Sequence, residues 1–410
     1  MADAARLEIS GLGAQGDGVA HRDGGIVHVP GALPGEMAER AADGTWRIVG
    51  PPSPRRRAMA LCSHVARCGG CSVQHMDDEL YTGWKSGLLA TALAQHGLSC
   101  PVLPLASVPP GSRRRATFTG AWLDGTLRLG FHGRETHALE PIADCGVLRP
   151  AIVAALPHLT RLAAALVPQG TSFRLSVLAA DNGLDISLDR KPPRGLARQA
   201  TAVADLMRRA KAIRLTCAGE PVLLLARPVV TIAGAELTPP PGAFLQAAAE
   251  ADALLAAPVL EHIGKAKRVF DLFSGLGTLT LPIARRARVT AVDSEADLLA
   301  ALAEATSHTR GLKPIERLRR DLFRDPLSPR ELETADAVVL DPPRAGADAQ
   351  CRSLARAKVR RVVMVSCNPA TLARDLRTLV DGGYRLDHVA PIDQFLFTHH
   401  LEAVATLVRA

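Results

Sequence analysis

From about residue 243 onward, short apolar runs alternate with longer amphipathic stretches. "KRVFDLF", "RVTAVD", "ADAVVLD" and "RRVVMVS" read as strands. "TLTLPIARRA", "SEADLLAALAEATSH", "DAQCRSLARA" and "PATLARDLRTLVDGG" read as the helices between and after them, and strands near "YRLDHVAPID" and "EAVATLV" close the chain. Strict alternation of strand and helix predicts an α/β unit over 243–410, with a doubly wound, Rossmann-like sheet. Residues 76–242 mix strands ("RRRATFTGAW", "LRLGFH", "SFRLSVLA", "LDISLDR", "PVLLLA") with helices near 150–166 and 194–210. That mixture predicts a middle α/β domain built on an antiparallel sheet, ending at the "TPPPG" stretch of 238–242. Its first helix is "DDELYTGWKSGLLATALAQHG", amphipathic and acidic in its first turn. Residues 1–52 read as about five short strands broken by glycine, with a hairpin signal at "RDGG", and predict a small β-barrel of OB type. "PPSPRRRA" reads as a linker into a short cysteine-bearing segment, 53–75.

The composition is that of a soluble globular protein, and no apolar run is long enough to span a bilayer. "MADAARLEIS" has acidic residues and lacks the apolar core of a signal peptide, so the expected compartment is the cytoplasm. Lys and Arg number 49 against 41 Asp and Glu, a net charge of +8, with clusters at Arg55–Arg57, Arg113–Arg115 and Arg360–Arg361. A basic surface favours a polyanionic partner such as nucleic acid, because each neutralised phosphate releases counterions. Nothing implies a membrane or an obligate protein partner.

Three stretches carry candidate chemistry. In "DLFSGLGTLTL", a strand runs into a glycine-rich turn and a helix start, where Gly275 and Gly277 let the backbone approach a ligand. The full dinucleotide spacing is missing, which favours a nucleoside, and Asp293 ends the next strand where a ribose-binding acid belongs. Asp341, after the buried strand of "VVLDPPRAG", and Cys367, in "SCNPATLARD", end neighbouring strands and should meet at one crevice. Finally, Cys62, Cys68 and Cys71 stand as C-x5-C-x2-C around "CGGC". With a fourth thiolate from Cys145 or Cys100, such a set suits either zinc or a [4Fe-4S] cluster.

The cysteine segment with Gln74 and His75, "DLFSGLGTLTLPIA", "DPPRAG", "SCNPATLARDL" and "FTHHLEAVATL", in this order, resembles the RNA uridine-5 methyltransferases. "GDGVAHRDGGIVHVPGALPGE" resembles that family's TRAM domain, an OB-type RNA-binding barrel. The resemblance implies that 243–410 is an S-adenosylmethionine-dependent methyltransferase domain and that 76–242 binds RNA. It implies a [4Fe-4S] cluster on Cys62, Cys68, Cys71 and Cys145, and cofactor contacts at Gln246, Phe273, Thr278, Asp293 and Asp341. RNA is the implied partner, with the layout closer to the 23S ribosomal branch than to the transfer-RNA branch.

The reaction needs the residues that the crevice offers. Uracil C5 is too weak a nucleophile to attack a methyl sulfonium until a thiolate adds at C6, and Cys367 is the candidate. The resemblance puts Glu402 where a base must remove the C5 proton. The cytosine-5 enzymes acting on RNA use a second cysteine after an Asp-Pro-Pro-like motif, and "LDPPRAG" has none. A non-catalytic RNA-binding protein and a nicotinamide oxidoreductase are the competing classes; the short glycine loop and the thiol–glutamate pair argue against the latter.

Overall fold

The computed structural model describes residues 6–134 and 136–409; residues 1–5 of the expected N-terminal unit and Ala410 lie outside them. Among the described residues, the C-terminal sheet has eight strands. In spatial order they are Ile315–Arg319, Arg288–Asp293, Arg268–Leu272, Ala337–Leu340, Arg361–Ser366, Glu402–Arg409, Tyr384–Asp393 and Ala106–Ser107. The first five run parallel, and Glu402–Arg409 is antiparallel to both of its neighbours. Ala337–Leu340 is buried at every position, as a strand covered by helices on both faces must be. Ile315–Arg319 did not register in the apolar pattern, because as an edge strand it is half exposed and reads "IERLR".

The middle sheet has seven strands, from Leu139–Pro141 at one edge to Glu220–Leu224 at the other. It is antiparallel throughout except where Gly183–Leu188 pairs in parallel with Ala212–Cys217 across helix Ala200–Arg209. Helix Pro150–Leu166 lays Leu156, Leu159 and Leu162 into its core. Two parts of the expected 76–242 unit pack elsewhere. Helix Asp78–Gln95 puts Leu89 and Leu93 against Leu372 and Leu376 of helix Pro369–Asp381, and Ala106–Ser107 extends the C-terminal sheet. Likewise the hairpin Val230–Ile232/Ala235–Leu237 packs on helix Ala296–His308 through Leu237 and Leu302. Non-local apolar burial decides these attachments, and local pattern does not encode it.

Among the described residues of the N-terminal unit, six strands form two three-stranded sheets around a small core of Ile9, Ala20, Val29, Ala32 and Ala38. The hairpin Gly18–Arg22/Gly25–Val29 turns at Asp23 and Gly24, both with positive φ, the geometry its "RDGG" signal requires. "PPSPRRRA" is firmly held. Buried Glu36 pairs with Arg56 at 2.6 Å and accepts the Leu33 and Ser53 amides, while Arg55 and Arg57 pair with Asp77, Glu79 and Asp78. This arginine cluster is therefore engaged in internal ion pairs.

Candidate functional site: a crevice at the strand ends

The carboxyl ends of the parallel strands open into a cavity of about 650 Å³. Asp271, Asp293, Asp341 and Cys367 come from the ends of four consecutive strands and all line it, as the doubly wound topology dictates. Glu402 reaches the same place from the start of its strand, because that strand runs antiparallel. Pairing of Ser366 with Ala403 sets Cys367 and Glu402 side by side at the sheet's end.

The loops are held by their own chemistry. In 273–277, Phe273, Gly275 and Gly277 all have positive φ, and for a bulky residue such as Phe273 that conformation is strained. Asp293 accepts the Gly275 amide at 2.8 Å and the Glu295 amide at 2.9 Å, locking the glycine turn to the next strand. Gln246, Phe273, Gly275, Thr278, Asp293 and Asp341 all line the cavity. Gly277 does not. A side chain there would meet Leu302 Cδ1 at 2.7 Å, so its service is close packing of the turn on helix Ala296–His308.

The Asn-Pro step after Cys367 also has a reason. Pro369 starts a helix, and Asn368 caps it by accepting the Ala370 amide, while its Nδ2 donates to Arg344 O at 3.2 Å. One side chain thus fixes the Cys367 loop to the Asp341–Arg344 loop. Arg344 in turn donates to His400 Nδ1 at 3.1 Å; burial, His399 and Arg344 push that imidazole down to about 4, leaving it a neutral acceptor.

Burial dominates the cavity's electrostatics. It pushes Asp271 and Asp341 up to about 7 each, and Glu402, also repelled by Asp341, up to about 8. Asp271 has one oxygen on the Thr280 hydroxyl and the other without a partner. Burial, then Glu402 and Asp341, push the Cys367 thiol up to about 11, while Arg344 pulls it down. A cationic ligand would return these carboxylates to their charged form and ease ionisation of the thiol.

Sequence reasoning missed several lining residues. Arg320, Asp321 and Phe323 follow the unrecognised strand Ile315–Arg319, and the Phe323 ring lies 5.4 Å from that of Phe273. His400 also lines the cavity; it sits on a loop with no periodic signal, together with Gln394, which does not line it. Gln394 is buried and donates to Glu402 at 2.8 Å and to Gln246 Oε1 at 2.6 Å.

A second cluster lies on loops between the N-terminal unit and the middle sheet. Cys62, Cys68, Cys71 and Cys145 are within electrostatic reach of one another, and Cys100 is outside the group. His64 and Arg67 clamp the 62–71 segment onto Glu140, and His64 also reaches Asp144. Gly146 allows the approach, since a Cβ there would meet Leu61 O at 2.7 Å. Burial pushes Cys71 up to about 12 and raises Cys68 and Cys145 as well. N–H groups oppose it: Gly70 N donates to Cys68 Sγ at 3.4 Å, and the Val147 and Leu148 amides donate to Cys145. Among the described residues, no three Cys, His, Asp or Glu side chains are drawn together tightly enough to hold one metal ion.

Comparison with known proteins follows the same lines. Residues 239–410 match the family model described as tRNA (uracil-5-)-methyltransferase. An RNA methyltransferase of Brucella suis is 43% identical over 98% of both chains, and one of Rhizobium meliloti is 44% identical over 98% of both. A 23S rRNA (uracil(1939)-C(5))-methyltransferase of Edwardsiella ictaluri is 35% identical, covering 96% of this chain and 93% of its own. Among solved structures, the Pyrococcus abyssi tRNA (uracil-54, C5)-methyltransferase in complex with S-adenosyl-L-homocysteine matches with a TM-score of 0.75. It covers 98% of this chain and 99% of its own at 22% identity, a likeness of fold.

Proposed function

We propose that this chain, which belongs to the RNA uracil-5-methyltransferase family and so transfers methyl groups from S-adenosylmethionine, modifies a 23S rRNA uridine through a covalent adduct on Cys367. The observation that carries the mechanism is the meeting of Cys367 and Glu402 at one cavity from two antiparallel strands. Cys367 Sγ bonds to uracil C6, and the displaced π electrons gather at C5 and O4. C5 takes the methyl group, which the cofactor's sulfonium supplies when bound. Glu402 then removes the C5 proton; that electron pair restores the C5–C6 double bond and expels the thiolate. Cys367 gains thiolate character once positive charge stands among Asp341 and Glu402, so cofactor binding first would favour the attack. The target base must leave its stack to enter the cavity.

Gln246, Phe273, Gly275, Thr278, Asp293 and Asp341 would hold the cofactor. The unpartnered Asp271 oxygen and the carboxylates that burial leaves protonated suit a ligand carrying positive charge. We assign a [4Fe-4S] cluster to Cys62, Cys68, Cys71 and Cys145 on the family resemblance; the four thiols are within electrostatic reach of one another, though not drawn together tightly enough to ligate one ion as they stand. The N-terminal unit is read as an RNA-binding TRAM barrel; deleting residues 6–52 should weaken RNA binding and flatten its salt dependence. The full-length likeness to the Edwardsiella enzyme favours 23S rRNA over tRNA.

The test uses RNA from a strain lacking the gene and labelled cofactor. Cys367→Ala should abolish methylation and any covalent protein–RNA species. Glu402→Gln should methylate once and stall as an adduct stable on denaturing gels. Activity in Cys367→Ala, or no adduct in Glu402→Gln despite normal ligand binding, would overturn the mechanism. The methylated position, mapped in rRNA and tRNA, decides the substrate.

A further inference from the structure

We infer that Gln394 is the positioning residue of this site: its amide holds Glu402 for proton removal and turns Gln246 so that its NH2 faces the cavity. The inference rests on the reading of Glu402 as the base.

The argument is one of donors and acceptors. Gln394 is buried, and its Oε1 accepts the Ala247 amide at 2.8 Å. A backbone N–H can only donate, so this bond fixes which end of the Gln394 amide is oxygen. The NH2 end must then face the other way, and it donates one hydrogen to Glu402 Oε2 at 2.8 Å and the other to Gln246 Oε1 at 2.6 Å. Both donors are used.

Two consequences follow. Gln246 has its oxygen turned to Gln394, so its NH2 is the end left toward the cavity. That end suits an acceptor, such as a carboxylate or a carbonyl. Glu402, meanwhile, has one oxygen held by a neutral donor, which favours the carboxylate over the acid against burial and Asp341. Among the described residues its other oxygen has no hydrogen-bond partner, which leaves it available to take a proton.

The frame around Gln394 is rigid. Asp393, its neighbour, forms a fully buried pair with Lys85 at 2.6 Å; Lys85 also donates to Phe395 O, and the Tyr81 hydroxyl bonds to Asp393. On the other side, Arg114 donates to Gln246 O at 2.9 Å and pairs with Asp252. The base and the cofactor-facing glutamine are thereby set by one amide whose backbone cannot shift.

The test compares Gln394→Met, of similar shape but without a donor, with the native protein on the same RNA, following methyl transfer and adduct release separately. Release should slow by about 10-fold, the scale of one lost hydrogen bond to an ionised group. The pH at which release is half-maximal should rise by about one unit, because the carboxylate has lost a stabilising donor. KM for S-adenosylmethionine should rise as well, since Gln246 is free to flip. A merely structural glutamine would lower the folded fraction without moving the pH profile. An unshifted profile with normal release in Gln394→Met, while Glu402→Gln still stalls as an adduct, would overturn this inference alone. Normal release in Glu402→Gln would overturn the base and this inference with it.

Discussion

The chain keeps thiols in two places, and burial raises them in both. The environments otherwise differ. Around Cys367 stand Asp341 and Glu402, which repel a thiolate, and Arg344, which attracts one. Around Cys68, Cys71 and Cys145 stand mainly other thiols, with backbone N–H groups turned on Cys68 and Cys145. The first arrangement keeps a single thiol protonated until a charged ligand changes the balance. The second gathers several thiols, each raised by burial and by the others, so that they stay protonated together. Burial and like charge raise the thiols in both places; what differs is the kind of neighbour, carboxylates and an arginine around Cys367 but other thiols around Cys68, Cys71 and Cys145.

The sharpest way to break that distinction is to remove one thiol from the four. Cys145→Ser should lose the iron and the brown colour of anaerobically purified protein, whereas Cys100→Ser should keep about four irons per chain. Stoichiometric zinc in place of iron, or iron retained in Cys145→Ser, would remove the cluster. S-adenosylmethionine affinity, measured calorimetrically, should be the same in Cys145→Ser as in the native protein, because the crevice is built from other strands.

A smaller effect tests the crevice. Asp341→Asn removes a like charge from beside Cys367, so its thiol should ionise at lower pH. Alkylation of Cys367 by iodoacetamide in the ligand-free protein should speed up by about 10-fold near pH 8, with its pH profile displaced downward. An unchanged rate would show that Asp341 does not set the thiol, leaving burial and Glu402.

The smallest effect concerns stability. Asp271 is raised to about 7 when folded, whereas an unfolded carboxylate titrates near 4. Between these values the folded protein holds a proton that the unfolded chain has released. Stability from this group is therefore full at low pH and declines as pH rises through about 7. Asp271→Asn, which keeps an acceptor for Thr280, should raise the melting temperature of the ligand-free protein by a few degrees near pH 8. Near pH 4 the two proteins should melt together.

Much of this molecule was legible from local pattern. Buried parallel strands announce themselves as apolar runs, so Arg268–Leu272, Ala337–Leu340 and Arg361–Ser366 were readable, and with them the positions of Asp341 and Cys367. The edge strand Ile315–Arg319 was not, since half of its surface meets water, and Asp321 and Phe323 stayed hidden with it. The Arg55–Arg57 cluster read as a surface for RNA, because sequence shows the charge of a side chain but not its partner.

What the sequence determined by itself was the alternation that builds the sheet, and the residues set at the ends of its strands. A period of two or 3.6 is a local property, and the strand end that bears ligands follows from connection handedness. The family resemblance already named Glu402 and Cys145; what only the tertiary structure decided was the contacts by which such distant groups meet. Glu402 joins Cys367 because its strand runs antiparallel beside Arg361–Ser366. Cys145, rather than Cys100, joins the other three thiols because Glu140 and Asp144 anchor its loop. Gln394 reaches both Gln246 and Glu402 because Lys85, more than 300 residues upstream, pins the neighbouring Asp393. Contacts of that span depend on how whole elements pack, and no local pattern encodes them.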